Sequence, residues 1–240
     1  MHLTGAELAI ASLAAFVGGF IQGSIGFGLS LVATPVLGLL APETLPAAII
    51  LLAQPMTAWM AIHERGAMDK RGFLEIAIAR LPGTAAAAAL AAAITTDQLA
   101  IVIGTAIVAA ALVSAAAPEF ELARRHRVVA GLFSGFMGTI AAVGGPPLAL
   151  AYQRRPGPEL RSTLAMAFLV GGFISLVALW LVDKVHAEHV LLALWLLPAL
   201  GLGMVAARRA HLLLDRGWLR PAVLAFAVAS GLAAVTKGLF

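Results

Sequence analysis

The sequence contains no cysteine. Disulfides, thiol nucleophiles and cysteine-based metal sites are therefore excluded. Charge is also scarce. Only 12% of residues are charged, against about 25% in an ordinary soluble domain. No long polar segment could form a soluble domain, and no basic–aromatic stripe suggests a nucleic-acid partner. His63, His186, His189 and His211 all fall in short polar gaps. None recurs with an acid or a second histidine at metal-ligand spacing inside an apolar run, so no metal or cofactor is expected. The same scarcity argues against an intramembrane serine protease. Ser24 and Ser134 could be nucleophiles, but no histidine lies within an apolar run to activate either.

What is abundant is apolar. Hydrophobic residues make up 61% of the 240-residue chain, and the mean hydropathy is +0.98. A soluble fold of this length cannot bury so much apolar surface, so the bilayer is the solvent. Apolar runs lie at 6–40, 44–62, 72–94, 98–117, 128–151, 160–182, 190–206 and 218–236. Most have the length of one helical span; the first is too long for one. The N-terminal run has no basic residue before it and is read as retained rather than as a signal peptide. Backbone groups in a bilayer must be satisfied internally, and Ala, Gly and Leu dominate without strand-like alternation, so the expected fold is all-helical.

The first run contains GGFIQGSIGFGLSLVATP, Gly18 to Pro35, and a later one contains AGLFSGFMGTIAAVGGPP, Ala130 to Pro147. With an offset of 112, Gly19 falls on Gly131, Gly23 on Gly135, Gly26 on Gly138 and Pro35 on Pro147. Pro82 later falls near Pro198, and Asp97 near Asp215. The chain reads as a duplication, with halves 1–117 and 118–240.

Charge placement gives the orientation. The gaps His63–Arg71, Pro118–Arg127, Gln153–Arg161 and Ala207–Arg220 hold three or four Lys or Arg each, while those near Pro42, near Asp97 and at Asp183–His189 hold one lysine in total. Eight simple crossings would put basic gaps on both faces, against the positive-inside tendency. All four share one face if the run 128–151 dips in and returns. By the repeat, 6–40 is then also broken or re-entrant. Each half becomes one broken element plus three spans, and the odd number of spans inverts one half relative to the other, giving seven or eight membrane segments.

The two glycine stretches resemble the signatures of the TauE/SafE family of sulfite exporters, a G-x-x-x-G-x-x-G-x-G-G…P pattern near the start and again near the middle. ERGAMDKRG after the second run resembles that family's basic loop, and RSTLAM at 161–166 its segment after the second motif. The likeness covers nearly the whole chain. Two departures are visible: Leu29 stands where the third glycine of the triplet is usual, and Thr139–Val143 separates Gly138 from Gly144–Gly145. The resemblance implies a multi-pass secondary transporter in a bacterial inner membrane, moving sulfite, sulfonates or a related organic acid, with protons as the candidate coupling ion. A passive anion channel, or a carrier of a non-sulfur organic acid, is the alternative. The expected partners are a small anion and the lipid bilayer, with the chain a monomer or homodimer.

Irregular backbone at membrane depth is tolerated only inside protein or beside a water-filled cavity, and free amides at a half-helix N-terminus favour an anion. The candidate substrate ligands near the first break are Gln22, Ser24, Gly26, Gly28 and Thr34. Their counterparts in the second half are Ser134, Gly138, Thr139, Gly144, Gly145 and Pro146. Each hydroxyl could instead bond back to its own helix, and the glycines of one face could simply allow close packing. Gln54 lies deep in an apolar run and needs a partner there, either a helix or a substrate. Ser162 and Thr163 open the sixth run and read as caps. Charged candidates are few. Glu75 and Arg80 lie in the third run, where Arg80 is expected to snorkel or to pair with Glu75. Arg161 reads mainly as a topology determinant, and His63 with Glu64 is a candidate proton carrier. Trp59, Tyr152, Trp180 and Trp218 sit near run ends and read as interfacial anchors.

Overall fold

A computed structural model describes residues 3–116, 121–209 and 228–229. The expected last span at 218–236, with Asp215, Trp218 and His211, lies outside the described residues apart from that pair. Every regular element among the described residues is helical. The α-helices are α1 Gly5–Ile25, α2 Leu29–Leu40, α3 Ala47–His63, α4 Lys70–Ala93, α5 Thr96–Ala116, α6 Arg124–Ile140, α7 Gly145–Ala151, α8 Gly157–Leu181 and α9 Ala187–Arg209.

The helix starts follow local chemistry. Thr4 caps α1 and is held by Glu7 in a capping box, and the Asp69 carboxylate accepts from the Gly72 amide to cap α4, satisfying amides that have no intrahelical partner. Four helices, Gly5–Ile25, Lys70–Ala93, Gly157–Leu181 and Ala187–Ala207, are long and apolar enough to cross a membrane. Their outer faces remain apolar: Phe173 is 66% exposed and Leu202 64%. Water would penalise such faces, whereas lipid does not.

Both glycine-rich elements are hairpins. A Cβ placed on Gly18 would lie 3.0 Å from Cα of Leu29, so the chain has turned back along α1 by the start of α2. Likewise, a Cβ on Gly144 would lie 3.3 Å from Cα of Gly138 and 2.9 Å from the Ser134 carbonyl. The first break turns at Gly26 and Gly28, with φ of 91° and 126°, a region that costs an L side chain about 1–2 kcal/mol.

The helix pairing crosses between the sequence halves. α1 packs on α9, α4 on α6 and α3 on α8; α4 also meets α8 as α9 meets α3. Exchanging α1 with α6, α3 with α8 and α4 with α9 leaves this pattern unchanged. Gly19 and Gly23 lie against Leu200 and Met204 of α9, and Gly131 and Gly135 against Ile76 and Arg80 of α4. For these four glycines the packing explanation applies: small residues let helices approach closely.

Three basic gaps meet at one end of the bundle. Arg161 pairs with Glu64 at 3.1 Å, Tyr152 donates to Asp69 at 2.9 Å, and Arg127 pairs with Glu75 at 2.6 Å. Gap 207–220 lies largely outside the described residues. Several sequence expectations are corrected here. Tyr152 is fully buried rather than interfacial; burial and its bond to Asp69 raise its hydroxyl pKa. α8 begins at Gly157, so Ser162 and Thr163 sit within it and cap nothing; Thr163 instead accepts from the Asp69 amide at 3.0 Å.

Candidate functional site

The two hairpins meet. A Cβ on Gly145, at the second break, would lie 3.0 Å from Cβ of Phe27, at the first. Beside this junction is a small cleft of about 60 Å³. It is lined by Gln22, Phe27, Gly28 and Ser30 from the first hairpin, by Gly138 and Ala142 to Pro146 from the second, and by parts of α3, α4 and α8.

Among the described residues, one charge faces this cleft, that of Arg80. Arg80 lies ten residues from Lys70 along α4, ~15 Å at 1.5 Å per residue. In an apolar layer about 30 Å thick, that is near mid-depth. It is only 3% exposed. Its Nη1 donates to the Ser134 hydroxyl, and Ser134 donates onward to the Gly144 carbonyl at 2.7 Å. Its Nε has no hydrogen-bond partner, and among the described residues no carboxylate pairs with it. A guanidinium stays charged in proteins. Leaving it unpaired at this depth costs on the order of several kcal/mol, and such residues mark functional sites by default.

Arg80 neither snorkels nor pairs with Glu75, which corrects the sequence expectation. Glu75 sits at the basic end of α4, bound by Arg127 at 2.6 Å, Arg71 at 3.4 Å and Arg124 at 3.8 Å. Five residues separate Glu75 from Arg80, which places them on different faces of the helix. The Arg127 partner comes from α6, a long-range contact that the α4 sequence does not reveal.

The other candidates divide clearly. Gln22, Gly28, Gln54, Gly138, Gly144, Gly145 and Pro146 line the cleft. Gln22 is also a cap: its Oε1 accepts from the Leu29 amide at 3.2 Å, at the start of α2. Gln54 donates to the Ile50 carbonyl of its own helix at 3.3 Å. Pro146 and Pro147 carry no N–H, so the prolines offer no amide at the second break and the two glycines do. Ser134 is not in the lining but holds Arg80 and Gly144 together.

Other candidates lie elsewhere. Ser24 donates to the Phe20 carbonyl at 2.7 Å, the ordinary back-bond. Thr34 is buried, with its hydroxyl unpartnered, and does not line the cleft. Thr139 joins Ser175 at 2.7 Å and Thr84 at 3.3 Å, a polar clasp between α4, α6 and α8. Gly26 packs on Arg161, whose Cγ would lie 2.9 Å from an added Cβ. His63 stacks on Trp59 with ring centroids 4.2 Å apart, and its Nδ1 lies 2.9 Å from the Trp59 carbonyl. Glu64 is occupied by Arg161.

Sequence reasoning missed Ser30 and the pair Gly171–Gly172. A Cβ on Gly171 would lie 2.5 Å from Cζ of Arg80, and one on Gly172 would lie 3.2 Å from the Gln54 side-chain amide carbon. These two glycines of α8 clear the space in which the guanidinium and the amide sit. A GG pair mid-run was the available signal.

The arrangement can bind a small anion: a guanidinium with no carboxylate partner among the described residues, amide and hydroxyl donors, and the start of α2 at one cleft. It offers no nucleophile–base pair, and among the described residues no cluster of three or more metal-ligating side chains occurs. The family model described as Sulfite exporter TauE/SafE matches residues 11–234, and the chain belongs to that family. Neither a curated protein nor a solved structure matches the chain.

Proposed function

From membership of that family, we propose that the protein is a secondary carrier that exports small sulfur-containing anions, such as sulfite or organosulfonates, across a bacterial inner membrane. The carrying observation is Arg80, buried without a counter-ion beside the cleft between the two hairpins. The anion sits there against the guanidinium and the backbone of the two breaks. Arg71, Arg124 and Arg127 around the single Glu75 leave an excess of positive charge at the loop end, which draws anions toward the bundle.

The exchange-symmetric helix pairing supports two inverted halves, 1–117 and 118–240. Alternating access then follows from rocking the α1–α9 and α4–α6 pairs about the central α3–α8 contact. No cofactor takes part. The test is flux in proteoliposomes loaded with sulfite. Efflux should saturate with concentration at a carrier-like rate and should vanish in Gly138→Leu, which fills the cleft beside Arg80. Flux that rises linearly without saturation would instead indicate a channel.

A further inference from the structure

We propose that the cleft takes its anion in the singly charged form, so that a proton moved by this carrier travels on the substrate and not on a side chain. This deepens the transport reading and rests on it. Among the described residues that line the cleft, Arg80 is the only charged or titratable one.

Among the described residues, the elements packed around Arg80 bring no second ionisable group to it. On α4 itself, Lys70, Arg71 and Glu75 lie toward the loop end. On α6, Arg124, Arg125, His126 and Arg127 form its first turn at the same end, and on α8 Glu159 and Arg161 lie in the first two turns. α3 closes on His63, which is held to Trp59. α2 and α7 carry no charged residue, and Glu7 of α1 is in the capping box at the far end of that helix.

The carboxylates at the loop end are occupied. Glu75 is bound by Arg127, Glu64 by Arg161, and Glu159 by Arg155 at 2.8 Å; Asp69 accepts from Tyr152 and from the Gly72 amide. No acid in the cleft is therefore placed to hand a proton to the substrate or take one from it.

The charge balance selects the ligand. One guanidinium neutralises one negative charge. The cost of burying an ion grows as the square of its charge, so a dianion is about four times as costly to desolvate, and its second charge meets no second cation. The start of α2 adds only a partial charge, and Gln22 already accepts from its first amide. An oxyanion that titrates between one and two negative charges is thus captured with its proton attached.

The experiment is calorimetric titration of the purified full chain with sulfite and with methanesulfonate from pH 6 to 8.5. Sulfite loses its second proton in this range, whereas methanesulfonate stays singly charged. The expected result is a sulfite Kd that rises about tenfold per pH unit above that ionisation, with a flat methanesulfonate Kd. Arg80→Lys, checked for folding by its melting temperature, should bind more weakly and keep the same two profiles. A sulfite affinity that stays constant or improves with pH would overturn the proposal. A parallel fall for methanesulfonate would also overturn it, by showing that a protein group titrates. If neither anion binds at any pH, the transport reading fails and takes this inference with it.

Discussion

The first break turns through Gly26 and Gly28, both at positive φ, and leads into the 12-residue α2. The second turns through Ala142 at φ 57°, passes Gly144 at an ordinary φ of −83°, and leads into the 7-residue α7, with Pro146 and Pro147 in its first turn. Each outer helix lies on a partner from the other half through matching glycines. Gly135 rests on α4 beside Arg80, whose Cα would be 2.9 Å from an added Cβ; Gly23 rests on α9, with Cα of Met204 at 3.6 Å. Gly135 thus meets α4 at the residue whose guanidinium reaches the cleft, whereas Gly23 meets α9 at a methionine. The two breaks share a frame of hairpins and helix pairs, and a single side chain makes the site one-sided in its chemistry.

Removing that asymmetry should have the largest effect. Arg80→Gln should lower sulfite flux in proteoliposomes by more than about 100-fold, since a charge-assisted partner is lost and a buried polar group is left in its place. Met204→Leu, where Gly23 rests on α9, should stay within a few-fold of the parent. Equal losses in both would mean that the two positions serve packing alone.

Next is the space cleared for the guanidinium. Gly171→Leu should displace Arg80, abolish anion binding and destabilise the fold by about 1–3 kcal/mol through overpacking. Gly201→Leu has nothing within 4 Å of the added Cβ and should be neutral in melting temperature and binding. Within the breaks themselves, Gly28→Ala forces a side chain to φ 126° and should lower stability by about 1–2 kcal/mol. Ala142→Gly relieves the corresponding strain in the second break and should raise stability by less than about 1 kcal/mol. Thermal unfolding of both variants checks the contrast.

The smallest contrast is between two serines. Ser134→Ala frees Arg80 from its tether to Gly144 and should weaken binding about tenfold. Ser24→Ala removes only a back-bond to Phe20 and should change nothing measurable.

The glycine and proline spacing pointed to both hairpins, because helix interiors disfavour those residues, although Ala142 carries the positive φ of the second. The gathering of basic gaps at one end followed from charge counting alone. Arg80 was legible only in part. Its depth follows from simple arithmetic, ten residues along the 24-residue α4, yet the nearby Glu75 offered a false partner. What decides the matter is tertiary: Arg127 takes Glu75 from 52 residues away, and Gly171 makes room for Arg80 from another helix. Ser24 and Ser134 look alike in the sequence, both next to glycines, and only packing separates a helix back-bond from a tether between a charge and a break.

The most direct measurement is calorimetric binding of sulfite to the purified chain beside its Arg80→Gln variant, with melting temperatures of both. Saturable binding at one site per chain in the parent, absent in a variant that still unfolds cooperatively, is the result expected from an anion held by this guanidinium. Equal binding by the two would place the anion elsewhere and contradict the account.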